Sequence, residues 1–274
     1  MTAALRLDSA HRGWSIVRFG AIDSTNEEAR RRALAGAADR RLWIVADEQT
    51  AGRGRRGRAW ISPKGNLHAS ALMIDPCPPA VAAQLGFVAG VALVRAAKDL
   101  GATDIGLKWP NDLMSHGAKC AGILVEGVGL GGGRAACVVG VGANCAHAPH
   151  DLGYATSCLT RTGGQAVGPG ELLERLVERF GKALDAWRFG QAFDRIRAAW
   201  LDYALGLGER IAIQNGAGRR EGVFEGIDAA GRLLMRSERG LERIEAADLW
   251  LSPRLGALPP SVFSVPTGRK AEPR

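Results

Sequence analysis

Residues 52–58 read Gly52-Arg53-Gly54-Arg55-Arg56-Gly57-Arg58, and short β-rich runs at 41–46 and 67–74 stand on either side of them. The fold must therefore carry four guanidinium groups on a loop between two strands, along a backbone that three glycines leave pliable. Such a loop can wrap closely round a phosphate chain, with arginine side chains and backbone N–H groups both turned to the anion. The spacing is not that of a Walker loop, since no Gly-Lys-Ser/Thr follows, nor that of a GxGxxG turn opening a helix. A solvated basic turn and an RNA-binding arginine–glycine patch are the competing readings of this segment alone. The RNA reading is weakened because the run is a single copy inside a folded pattern.

The 274 residues, 46% of them hydrophobic, can bury a full core with a second small domain beside it. A strand is expected at 14–19, and Asp23, Ser24, Thr25 and Asn26 supply cap-type residues before a helix at 27–34 that Gly36 can end. After Pro76, Pro78 and Pro79 a long helix should run to about residue 100 and stop at Gly101. Strand-like pieces follow at 105–109, 112–115, 122–128 and 135–141, with Gly131-Gly132-Gly133 turning the chain between the last two, and then helices at 171–189 and 193–205. From Gly208 the pattern changes. Short strands at 211–213, 220–227, 233–236 and 241–244, separated by Asn215-Gly216, Ala230-Gly231 and Arg239-Gly240, read as a small antiparallel barrel. The expected division is a larger domain over 1–206, the barrel over 207–252, and a disordered tail over 253–274, where proline and charge outweigh core residues.

The most apolar internal stretch, 80–94, is interrupted by Gln84 and falls short of the roughly 18 residues of a membrane span. It reads as a buried helix of a soluble protein, with no membrane partner. Five cysteines, Cys77, Cys120, Cys137, Cys145 and Cys158, are odd in number and form no CxxC pair, which points to reduced thiols in a cytoplasm. A formal charge of +8 suits a nucleic acid, a polyphosphate or an acidic protein as partner without choosing among them. His147 and His150 form an HxxH pair in a loop-like setting and are read as solvated, and Arg30-Arg31-Arg32 as the exposed face of a helix.

A second motif, Lys108-Trp109-Pro110-Asn111-Asp112-Leu113, is by itself no more than a hairpin corner, since Pro110 halts a strand and Asn111-Asp112 favours a tight turn. Its company changes that. Asp23-Ser24-Thr25-Asn26, Gln49-Thr50-Ala51 leading into 52–58, Ser62-Pro63-Lys64-Gly65-Asn66-Leu67, residues 108–113, residues 119–126 and Gly140-Val141-Gly142-Ala143-Asn144 follow one another in the order and with the gaps of the bacterial biotin–protein ligases. The chain resembles that family over these six blocks, and more weakly through Glu225-Gly226-Ile227-Asp228 and Gly231-Arg232-Leu233-Leu234.

The resemblance implies an α+β fold: a class II synthetase-like mixed sheet with packed helices, followed by a small SH3-like β-barrel. It also implies a reaction in which ATP and biotin, with Mg2+, give biotinyl-AMP, from which biotin passes to a lysine of a biotin carboxyl carrier domain. Ser24, Thr25, Asn26 and Gln49 would then lie at the biotin ring, with Gly52, Arg53, Gly54 and Arg55 closing over the adenylate. Lys119 would reach the biotin carboxyl, and Gly122, Ile123 and Leu124 would wall the pocket. Arg53, Arg55 and Lys119 are the expected catalytic groups. Arg58, Trp60, Asn111, Asp112 and Asn144 are candidates for the nucleotide side, with Asp112 nearest the metal. Two anions meet when a carboxylate attacks an α-phosphate, so a positive cradle is what the chemistry needs. A glycine-rich loop ordering over a hydrolysable mixed anhydride would also protect it, so the loop should be mobile without ligand.

Ala143, His68 and Cys120 stand where the family usually has other residues, which touches pocket shape rather than reaction class. Some relatives carry an amino-terminal helix–turn–helix; here the first expected strand begins at Trp14, so operator DNA is not an expected partner. A homodimer is compatible with the resemblance. The alternatives are a lipoate ligase, sharing fold and adenylation chemistry, and an RNA-binding protein whose arginine loop tracks phosphates.

Overall fold

A computed structural model of the chain describes residues 5–7, 13–36, 41–150, 152–163, 166–215, 218–245 and 247–251. The expected tail at 253–274 lies outside the described residues. In chain order the first part holds β1 (Leu5–Leu7), β2 (Ser15–Ile22), α1 (Thr25–Leu34), β3 (Arg41–Gln49), β4 (Leu67–Ile74), α2 (Leu85–Asp99), β5 (Ile105–Lys108), β6 (Asp112–Ser115), β7 (Ala118–Gly131) and β8 (Arg134–Ala143). These strands form one mixed sheet in the order β1-β2-β3-β4-β8-β7-β6-β5. Within it β2 and β3 run parallel, as the α1 crossover between them requires; the remaining neighbours are antiparallel.

Side chains alternate across this sheet with the period of two that a strand imposes. Leu67, Ala69, Ala71 and Met73 of β4, with Val139 and Val141 of β8, join the large core under α2, α3 (Pro169–Trp187) and α4 (Phe193–Leu201). Leu72 of β4, Val138 of β8 and Val128 of β7 point the other way, into a smaller cluster closed by Ala29 and Ala33 of α1. On the helix-covered side Trp14, Trp43 and Phe180 pack with ring centroids 5.5–5.8 Å apart, a tilted aromatic knot that fixes α3 to β3.

The helix expected after the proline cluster has two parts, a 3-10 segment Pro79–Gln84 and the α-helix α2, so the continuous helical stretch is longer than the 80–94 run suggests. By length and composition Pro79–Asp99 could cross a membrane, but 67% of its most apolar window is buried inside the fold. The helix α3 stops at Trp187, two residues short of expectation, because Arg188 and Phe189 adopt left-handed backbone. The next helix stops at Leu201 rather than 205, where the chain turns back to pair Ala204 with Leu107.

The remaining strands, β9 (Arg210–Asn215), β10 (Gly218–Ile227), β11 (Leu233–Ser237), β12 (Gly240–Ile244) and β13 (Asp248–Leu251), form the small antiparallel barrel in the order β12-β11-β10-β9-β13. The last of them is not among the strands expected from the sequence. The barrel's apolar residues are not a separate core: Phe224, Leu233 and Met235 belong to the same cluster as Phe87 and Trp109. Gly231, with φ +85°, lies so close to Phe87 that a Cβ there would sit 2.8 Å from its ring, and its carbonyl accepts a bond of 3.2 Å from Trp109 Nε1.

Candidate functional site

Even-numbered positions of β4, β8 and β7 beyond the α1 cluster form a trough on that side of the sheet, roofed by Thr25 and Asn26 at the start of α1 and by the Trp60 indole. One rung across the three strands is His68, Gly142, Gly122; the next is Ser70, Gly140, Leu124. The glycines are required by what lies over them. A Cβ on Gly140 would meet Asn26 Oδ1 at 2.3 Å, and one on Gly142 would meet Trp60 Nε1 at 2.4 Å.

Ser24 caps α1, its hydroxyl accepting from Glu27 N, so Thr25 and Asn26 are the first helical residues, buried and turned onto the trough. Gln49 Oε1 accepts from Thr25 N at 2.8 Å and lies 3.1 Å from its hydroxyl, while Gln49 Nε2 donates to Ser62 Oγ at 2.8 Å. The fully buried Ser70 hydroxyl lies 2.6 Å from Asn26 Oδ1 and 2.7 Å from Thr25 Oγ1. Asn26 Nδ2 donates to Glu126 Oε2 at 2.6 Å. The result is a set of neutral groups, Thr25, Asn26, Gln49, Ser62 and Ser70, held at fixed angles and backed by the Glu126 carboxylate, suited to reading a small polar ring.

At the other end of the trough the electrostatics invert. Asp112 holds Lys119 Nζ at 2.6 Å and Lys108 Nζ at 3.6 Å, all three mostly buried. Asn111 Oδ1 accepts from Arg55 Nη1 at 3.1 Å, and Asn111 Nδ2 donates to Ile123 O at 2.8 Å. Burial lowers the pKa values of both Lys108 and Arg55 from their ordinary range. Asp112 thus faces two ammonium groups and the Arg55 guanidinium, with Asp248 acting on Lys108 and Arg55 from farther off, and the positive balance suits an anion. Lys119 Nζ also stands 5.5 Å from the Trp60 ring and 5.9 Å from that of Tyr154.

The arginine loop doubles back on itself, with Arg53 bridged to Ala59 and a 3-10 turn at Arg55–Gly57 that puts Arg56 at φ +57°. Its four guanidiniums diverge. Arg53 meets Glu27 at 3.1 Å and Glu126 at 3.9 Å, Arg55 turns inward to Asn111, and Arg56 and Arg58 reach Asp248 of the barrel at 3.1 and 2.7 Å. Gly52 is pinned beneath the loop, where a Cβ would stand 2.4 Å from Trp60 O.

Of the residues singled out from sequence, Thr25, Asn26, Gln49, Gly52, Arg53, Arg55, Trp60, Asn111, Asp112, Lys119 and Gly122 meet around the trough. Ile123 is a correction: its side chain faces the helix-covered core, because it is odd-numbered on β7, and it gives the site only its backbone, the N–H donating to Asn111 O at 2.9 Å and the carbonyl accepting from Asn111 Nδ2. Arg58 and Gly54 sit on the outer side of the loop, Gly54 N donating to Arg58 O at 2.7 Å. Asn144 ties the end of β8 to Ser157 O at 3.1 Å, leaving its Oδ1 buried and unpartnered. Sequence reasoning passes over Ser70, hidden in an apolar strand, and Tyr154, whose loop is drawn to Lys119 by backbone bonds from Lys119 N to Ala155 O and from Ser157 N to Lys119 O. Cys120, Cys137 and Cys145 are buried, which pushes their pKa values up to about 12 and keeps them as thiols, outside nucleophilic chemistry.

A family model described as the biotin/lipoate A/B protein ligase family matches residues 19–144, the stretch that builds the trough and both of its ends. A biotin--[acetyl-CoA-carboxylase] ligase of Paracoccus denitrificans is 43% identical over 245 residues, spanning 83% of this chain and 97% of that one. The chain belongs to the biotin–protein ligases. A bifunctional ligase/repressor BirA of Bacillus subtilis is 31% identical over 87% of this chain and 74% of its own length. Among solved structures, the biotin protein ligase of Aquifex aeolicus in complex with biotin and ATP superposes with a TM-score of 0.75 at 27% identity, covering 86% of this chain and 99% of that one. That match extends across both sheets, so the ligase fold here includes the SH3-like barrel as well as the mixed sheet.

Proposed function

We propose that this biotin–protein ligase family member joins biotin to ATP as biotinyl-5'-AMP and passes the biotin to a lysine of a carboxylase's biotin carboxyl carrier domain, in the cytoplasm. The observation that carries the reading is the polarity of the trough, neutral and hydrogen-bonded at the Ser70 end and cationic at the Asp112 end. Biotin has the same polarity, a neutral ureido ring on a chain that ends in a carboxylate.

The ring lies between Thr25, Asn26 and Gln49, which Ser24 positions by capping α1, and the rung of His68 and Gly142, and the valeryl chain runs past Gly122 toward Lys119. A biotin carboxylate oxygen attacks the α-phosphorus of ATP, the bond to the β-phosphate oxygen breaks, and pyrophosphate leaves. Lys119 and Arg55 offset the repulsion between the two anions, and Lys108 adds charge where pyrophosphate develops. The acceptor's neutral lysine amine then attacks the biotinyl carbonyl, the bond to the phosphate oxygen breaks, AMP departs with the negative charge, and the amine's proton passes to solvent. Trp60, Asn144 and Tyr154 stand at the nucleotide end, and Arg53 and Arg58 hold the two flanks of the loop over the adenylate.

Asp112 is the carboxylate in contact with both lysines of the cation cluster, and no group of three or more His, Cys, Asp or Glu gathers as a metal cage among the described residues. One carboxylate with phosphate oxygens suits magnesium, which keeps much of its shell as water and phosphate. The ion would enter with ATP, with Asp112 as its protein ligand. We assign residues 1–206 to substrate binding and chemistry and residues 207–252 to the barrel that braces the arginine loop.

The test is pyrophosphate release from purified protein, ATP and magnesium with either biotin or lipoate, followed by addition of a biotin-acceptor domain. Biotin-dependent release and a labelled acceptor lysine are expected. Release with lipoate alone would move the chain to the other branch of its family, and no release from folded protein would overturn the reading.

A further inference from the structure

His68 lies on the floor of the trough, on the rung with Gly142 and Gly122, and is only 1% exposed. It stands between the Ser70 network and the loop that carries Trp60, and its Nε2 lies 3.1 Å from Pro63 O. A carbonyl can only accept, so Nε2 carries the proton and Nδ1 is a bare acceptor. Burial lowers the histidine's pKa, which keeps the ring neutral and this tautomer in place.

Nδ1 has no partner, although a buried polar atom of this kind is ordinarily satisfied. The Trp60 indole Nε1 is likewise buried and unpartnered. It sits within 2.4 Å of the Cβ position of Gly142, directly across the strand pair from His68. Side chains opposite one another in an antiparallel pair share a face and start about 5 Å apart. A buried acceptor and a buried donor, both without a partner, therefore lie at the same rung, and neither bonds the other. They complement a ligand edge that offers an N–H next to a C=O.

We infer that His68 is a specificity-determining residue of the substrate site: its Nδ1 accepts a hydrogen bond from a ring N–H of the substrate, with Trp60 Nε1 available to the adjoining carbonyl. This rests on the proposed biotin reading and deepens it, because a cyclic urea has such an edge and a dithiolane ring has none. A buried acceptor left unpaired penalises a ring that cannot donate.

The test compares wild type, His68→Phe and His68→Asn, the last of which places an amide oxygen near the position of Nδ1. Steady-state pyrophosphate release is measured with biotin and with a biotin analogue methylated on a ureido nitrogen. For His68→Phe the KM for biotin is expected to rise about tenfold with kcat changed by less than about twofold, as loss of one ground-state hydrogen bond predicts. His68→Asn should recover most of that loss. The penalty for methylation seen in wild type should shrink in His68→Phe.

A second measurement needs no variant. The Nδ1 resonance of His68 in 15N-histidine-labelled wild type should move upfield on saturation with biotin, as a bare imidazole nitrogen does on accepting a hydrogen bond. An unmoved resonance, or equal impairment of the Phe and Asn variants, overturns the inference while biotin-dependent release in wild type leaves the function standing. Wild type that binds no biotin and releases no pyrophosphate overturns both.

Discussion

Around Ser70, Thr25, Asn26 and Gln49 satisfy one another and the serine through bonds of 2.6–3.1 Å, whereas around Asp112 a single carboxylate faces two ammonium groups and a guanidinium. The first arrangement is complete before any ligand arrives, so it can discriminate by shape and hydrogen-bond direction at little reorganisation cost. The second is unbalanced, and on the proposed reading the imbalance is its use, because anions entering it would be drawn to a place where charge is about to build up. In the proposed function the trough thus separates recognition from chemistry along its length.

The sharpest way to break this contrast is Lys119→Ala. It should lower pyrophosphate release by about 100-fold or more, the scale seen when one preorganised charge-stabilising donor is removed. A loss below about tenfold would mean that the cation cluster is not tuned to the transition state. At the neutral end, Gly140→Ala drives a methyl group into Asn26 Oδ1 and should cost about 1–3 kcal/mol of folding stability, the range for overpacking a tight interior. Chemical denaturation reads this directly, and an unchanged midpoint would show that the floor yields rather than holds shape.

Smaller effects test the borders of the two regions. Asp248→Ala frees Arg56 and Arg58, which are half exposed, so stability should fall by no more than about 1 kcal/mol. Limited trypsin digestion should nonetheless cut the arginine loop faster, and biotin with ATP should slow that cutting; equal rates for mutant and wild type would remove the barrel from the control of the loop. Smallest of all is Asp23. The Arg31 guanidinium beside it lowers its carboxyl from 3.8 to about 2. A depressed folded-state pKa contributes stability above pH 3.8 that is lost as pH falls through 2. The difference in melting temperature between wild type and Asp23→Asn should therefore be small at pH 6, since the pair is nearly half exposed, and should shrink toward pH 3. A difference that grows on acidification would reverse the assignment.

Much of the site is legible in the chain itself because its residues advertise themselves: three glycines among four arginines, a Trp-Pro-Asn-Asp corner, a lysine leading a glycine-containing strand. Strand register is not legible in the same way. A run such as Leu67–Ile74 states that a strand is present, but not which of its two faces is polar in use, so Ser70 passes as a core residue and Ile123 is assigned a wall it does not form. Pairings between residues far apart in the chain leave no local trace either. Nothing near Asp248 in sequence indicates that it closes on Arg56 and Arg58, and the four-residue strand that carries it is too short to declare itself by periodicity. Helix ends are misjudged where left-handed residues such as Arg188 terminate them without a glycine.

Trp109 shares the core with Phe224 and Leu233, bonds to Gly231 across the boundary between the two sheets, and is followed within three residues by Asn111 and Asp112. The barrel is thus a clamp on the corner from which the cation cluster hangs. Trimming the chain before residue 207 would strip the cover from that indole, and the corner bearing Asn111 and Asp112 would lose its fixed seat. In an assay such a truncation would behave as an active-centre lesion, although the described residues removed, apart from Asp248 at the loop, lie outside the trough.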